Sequence, residues 1–141
     1  MATNITDIIT GVGSAIRARV TNSQSYRFPP DSVNQFPAVI PMVESLDMAM
    51  VQGGNSFEGT LRIVCLVERA QEEAAWLRMY EMLDTTGSGT SIIAALKADA
   101  TLNASVDSSF IAGVQNIGEK TVGGHLYIGF DVILPFVRQV T

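Results

Sequence analysis

The stretch from Leu61 to Leu102 constrains the fold most, because the period of its apolar residues changes partway along it. Leu61, Ile63 and Cys65 alternate with polar Arg62, the period of two that puts every second side chain on one face of a strand. From Glu68 the spacing turns helical, with Trp76, Met79, Tyr80 and Leu83 recurring at steps of three and four. Glu72 and Glu73 fall in the first turn of that helix, where its dipole favours negative charge. The run Thr85-Thr86-Gly87-Ser88-Gly89 breaks it, and Ile92, Ile93, Leu96 and Leu102 begin a second apolar run. Strand, helix, break and short helix make the unit on which the rest must pack.

On the N-terminal side, Ile5, Ile8, Ile9, Val12, Ile16 and Val20 form one helical stripe, with Asp7 near its start and Arg17 and Arg19 near its end. Gly11 and Gly13 cost this helix roughly 1 kcal/mol each relative to alanine, so it needs tertiary contacts. Thr21 to Gln35 reads as a polar loop around Pro29-Pro30, a length that is often functional. Tyr26, Arg27 and Phe28 within it are either a docking patch or an anchor to the chain's own body. Phe36 to Val51 reads as extended, with Ile40, Met42, Leu46, Met48 and Met50 on one parity and Pro41 marking an edge or bulge. The turn at Gly53-Gly54-Asn55 folds it back into the strand Phe57–Val67 as a hairpin. That strand is apolar on one side throughout (Phe57, Leu61, Ile63, Cys65, Val67). Its other side is apolar only at the far end, at Val64 and Leu66.

Val106 to Ile117 reads as a further extended segment, and Glu119-Lys120 and Gly123-Gly124 bracket a turn. The C-terminal strand puts Leu126, Ile128, Phe130, Val132, Leu134 and Phe136 on one face, and Tyr127, Gly129, Asp131 and Ile133 on the other. Strands at both ends with helices between them predict an α+β fold. One domain over residues 1–141 is expected, a mostly antiparallel sheet packed with two or three helices.

Only 16% of the residues are charged, below the usual quarter, although 47% are hydrophobic. Cover by other subunits and a neutral surface rich in Ser, Thr and Asn account for this equally well. A net charge of −5, with nine scattered basic residues, argues against free nucleic-acid binding, which needs clustered Lys and Arg. No apolar run approaches the roughly 18 residues of a membrane span, and the start lacks the pattern of a signal peptide, so a soluble intracellular protein is expected.

Catalytic patterns are missing. His125 stands alone at the mouth of the last strand, where a surface turn residue is the simpler reading. Cys65 lies in a strand and reads as a small buried hydrophobe; one Cys and one His cannot make a zinc site of the usual kind within one subunit. Glu72 and Glu73 are adjacent and diverge on a helix. The Ser/Thr-Gly run before Ile92 lacks the lysine of a phosphate-binding loop, so Ser88 reads as a helix cap. The methionines Met42, Met48, Met50, Met79 and Met82 either adapt to a partner or fill the core. No enzyme, cofactor or metal is expected.

Taken in order, the residues Phe36-Pro37-Ala38-Val39, the hairpin around Gly53-Gly54, the strand Thr60–Val67, the helix Ala70–Leu83, Ile92-Ile93-Ala94-Ala95-Leu96 and the strand Leu126–Val137 resemble the tail terminator (tail-completion) proteins of long-tailed bacteriophages. The resemblance covers nearly the whole chain. It implies a non-enzymatic virion protein of the tail and neck, assembled in the host bacterial cytoplasm. Such proteins form a ring, typically of six subunits, on the last ring of the tail tube, stop its growth and present the opposite face to the head–tail connector. Tail tube protein and connector are the implied partners, with DNA only passing through the lumen and no membrane involved. The candidate interface residues are Tyr26, Arg27, Phe28, Gln52, Gly53, Gly54, Asn55, Val64 and Leu66. A tail tube subunit or head-closure protein is the nearest alternative, and a small-ligand-binding or regulatory α+β domain is a more distant one.

Overall fold

The computed structural model describes residues 5–20, 23–26, 30–33, 35–47, 57–69, 73–83, 91–103, 106 and 108–138. In it the alternating segments become long paired strands. The elements in chain order are α1 (Ile5–Arg17), β1 (Gln24–Ser25), β2 (Ala38–Asp47), β3 (Phe57–Arg69), α2 (Glu73–Met82), α3 (Ile92–Ala98), β4 (Ser108–Ser109), β5 (Gly113–Val122) and β6 (His125–Arg138). Among the described residues they form one curled, mostly antiparallel six-stranded sheet with three helices, an α+β architecture. The order is β1-β2-β3-β6-β4, and β5 also pairs with β6. The one parallel pair joins β1 to β2, through Gln24 opposite Ala38 and Ser25 opposite Val39.

The register of β3 on β6 follows from their apolar faces. Leu61 lies opposite Leu134, Ile63 opposite Val132 and Cys65 opposite Phe130, so the two alternating sets meet on one side of the sheet. All six are fully buried. The helices cover this side with Ile8, Val12 and Ile16 of α1, Ala75, Met79 and Met82 of α2, and Ile92, Ile93 and Leu96 of α3. Each large side chain buried there contributes about 1.5–3 kcal/mol. The other side carries a smaller cluster: Val33, Ala38, Ile40, Val64, Leu66 and Tyr127. The segment before β2 closes over it. The Val33 amide donates to the Tyr127 hydroxyl at 2.9 Å, and the Phe36 ring tilts against Tyr127 with centroids 5.8 Å apart. The turn Gly123-Gly124 packs against the same segment. Gly123 has φ +60°, and a Cβ there would overlap the carbonyl of Asp31.

Four details depart from the sequence reading. The strand period persists to Arg69, one residue past the expected change at Glu68. On α2 the buried stripe is Ala75, Met79 and Met82, while Trp76 and Tyr80 are exposed by 37% and 55%. Small Ala75 lets the helix approach the sheet, and the aromatic rings are left outside. The turn expected between Glu119-Lys120 and Gly123-Gly124 is tighter than that span: β5 runs to Val122, and Gly123-Gly124 make the reversal. The cap of α3 is Ser91, whose Oγ accepts from the Ala94 amide at 3.3 Å and donates to the Met82 carbonyl at 3.0 Å; Ser88 lies outside the described residues.

Candidate functional site

The polar side of β3 and β6 gathers charge. Asp131 lies opposite Val64 of β3 and Gln115 of β5, and its side chain is 5% exposed. Burial alone would raise its pKa. The Asn116 amide, Lys120 and Arg62 outweigh that and hold the carboxyl below the usual range. Asn116 Nδ2 and Arg62 Nη1 each donate to Oδ2 at 2.9 Å, and Lys120 Nζ forms an ion pair with Oδ1 at 2.6 Å. Arg62 then reaches outward through Nη2 to Glu44 at 2.7 Å. Geometry at Asn116 depends on a bulge: the register of β5 shifts between Gln115 and Gly118, and Asn116 takes φ +53°, a left-handed conformation that asparagine tolerates. The pairing thus tethers β2, β3 and β5 to β6 from one carboxylate.

An open groove of about 620 Å³ runs beside this cluster, walled by Ile40, Met42, Val64 and Val122. Its two cations are already matched by the carboxylates of Asp131 and Glu44, so the groove offers an incoming anion no unmatched positive charge. Chemistry elsewhere is equally sparse. Burial pushes the Cys65 thiol pKa far above its usual value, which suppresses the nucleophilic thiolate. His125 is exposed and meets Tyr127 edge-on at 6.5 Å. Among the described residues, no group of three or more His, Cys, Asp and Glu side chains is placed to hold a metal ion, and no helix is long and apolar enough to cross a membrane.

Among the described residues, two open apolar surfaces carry opposite charge. On α2 the outward direction opposes Ala75, Met79 and Met82. At 100° per residue, Glu73, Leu77, Tyr80 and Glu81 all project within about 60° of it. Leu77 and Tyr80 are 56% and 55% exposed on the outer ridge of the helix, with Glu73 before them and Glu81 after, and with Glu81 and Leu83 they border a shallow hollow of about 560 Å³. Trp76 lies on the flank, against Gly118 of β5, and Arg78 on the other flank, 3.9 Å from Glu68. The second surface is concave. Ile93, Leu96, Lys97, Phe110 and Ile111 line an apolar groove of about 460 Å³ between α3 and the segment around β4. Phe110, 64% exposed, also borders a neighbouring groove of about 410 Å³ with Leu46 and Phe136. Gly118 pairs with Gly129, and Ser109 with Phe136. The ridge and the groove are therefore about seven residues apart along β6, or roughly 20 Å at the rise of a strand.

Of the residues singled out in the sequence, Tyr26 is half-buried against the second cluster. Val64 and Leu66 are 8% and 0% exposed and belong to that cluster. This corrects their assignment to a subunit interface, because the segment carrying Val33 and Phe36 already covers the apolar end of β3. Arg27, Phe28, Gln52, Gly53, Gly54 and Asn55 lie outside the described residues. The ridge was hidden in the sequence because Trp76 and Tyr80 shared a stripe with buried Met79; the flanking Glu73 and Glu81 were the available sign that Leu77 faces water. The chain matches no protein-family model and no curated protein.

Proposed function

We propose that this chain is a structural subunit that closes into a ring at the end of a phage tail tube, stopping tube growth and giving the head–tail connector a surface to join. The observation that carries this reading is a pair of open apolar surfaces of unlike charge, the α2 ridge with its glutamates toward one end of the β3–β6 pair and the groove with Lys97 toward the other. Two different surfaces that meet each other, and not themselves, set the geometry. Copies of such a chain join head to tail, and a head-to-tail contact that closes makes a ring. Low charge fits a surface that neighbouring subunits cover. The resemblance of the strand–helix order to tail terminators supplies the partner: a tube end on one face and a connector on the other.

The test is to add the purified protein, well below equimolar, to polymerising tail tube protein and to measure tube lengths by electron microscopy. Shortened tubes with a ring at one end are the expected result. Unchanged lengths would overturn the terminator reading. Long tubes made by this protein alone would replace it with a tube subunit, whose two ring faces must be complementary to each other.

A further inference from the structure

We infer that the contact closing the ring is made by the α2 ridge of one copy seated in the α3–β4 groove of the next, with Glu81 set against Lys97. The inference rests on the ring reading and names the surfaces that join. Both surfaces are apolar: Leu77 and Tyr80 of the crest are exposed, and Ile93, Leu96, Phe110 and Ile111 line an open groove. Charge selects the pair. Glu73 and Glu81 flank the crest, both exposed, and the hollow carries Lys97, exposed in the last turn of α3. Arg78, the basic residue on α2, points away along the flank toward Glu68, so the crest meets the groove with one sign of charge. The large cluster of the helix side does not compete for the ridge, because it is already filled by this chain's own residues. A second copy is the occupant that supplies both halves, since every copy that offers a ridge also offers a groove.

Reversing either charge at these exposed positions leaves the fold intact, which far- and near-ultraviolet circular dichroism checks. Glu81→Lys subunits alone and Lys97→Glu subunits alone are each expected to associate about tenfold more weakly than wild type, because every contact then places like charges together. An equimolar mixture of the two variants is expected to regain association to within about twofold of wild type, because ridge and groove charges are again opposite at every alternating contact. Leu77→Ser is expected to weaken association by about tenfold in every combination. Sedimentation velocity reads all four arms. If each charge variant assembles like wild type, or if the mixture fails to recover, the ridge-in-groove contact is wrong. In either case a wild-type ring that still shortens tubes leaves the terminator reading standing. A recovered mixture whose rings do not shorten tubes keeps the contact and overturns that reading.

Discussion

The two sides of the sheet are built from the same strands by different means. On the helix side, β3 and β6 present matched apolar rows, and three helices bury them from Leu61 to Val67 and from Ile128 to Phe136. On the opposite side the rows are mixed: Val64, Leu66 and Tyr127 gather at one end, and Arg62, Asp131 and Lys120 occupy the middle. The first side gains stability from area, which is tolerant of direction. The second gains it from a few aligned charges, which fix where β5 and β2 lie on the central pair. What the contrast teaches is that the two sides hold the same strands by different means, packing on one and ion pairs on the other. The surfaces that we propose as the contact between copies lie apart from both, on the outer face of α2 and in the groove beside α3.

The largest effect that would break this contrast lies on the helix side. Phe130 is fully buried opposite Cys65, and Phe130→Ala should cost about 3–5 kcal/mol in urea or thermal unfolding. A loss under about 1 kcal/mol would mean that this row is not the main core. The opposite side should give less. Asp131→Asn leaves Arg62 and Lys120 near each other with one charge unmatched, at a cost of about 2 kcal/mol given their partial exposure. The effect has a pH signature. The Asp131 pKa is depressed in the folded state, so its contribution is present above the unfolded value of about 4 and disappears as pH falls through the folded value. Wild type and Asp131→Asn should therefore differ most near neutral pH and converge in acid below about pH 4. A gap that stays constant down to pH 2 would remove the charge cluster as its cause.

Much of this arrangement was legible in the residues. The alternation of β3 and β6, the stripe of α1 and the hairpin order follow from periodicity, which reports what each side chain buries against its own sheet. The charge cluster was not legible. Arg62 and Asp131 could be placed off the apolar rows, but they are 69 positions apart and meet only through a strand register. Asn116 joins them because of a bulge that no pattern announces. Trp76 and Tyr80 misled because periodicity gives a helix two candidate stripes when alanine sits in one and aromatics in the other. Close packing chose the stripe with Ala75.

The claim that partners meet this protein at its ends, not on the sides of its sheet, is most directly tested by amide hydrogen exchange in the free and the assembled protein. Slower exchange on assembly is expected in residues 73–83 and 93–111, with β5 residues 116–122 and β3 residues 61–66 unchanged. Protection that falls on the β5 segment beside the Arg62–Asp131 groove, with α2 unaffected, would contradict it.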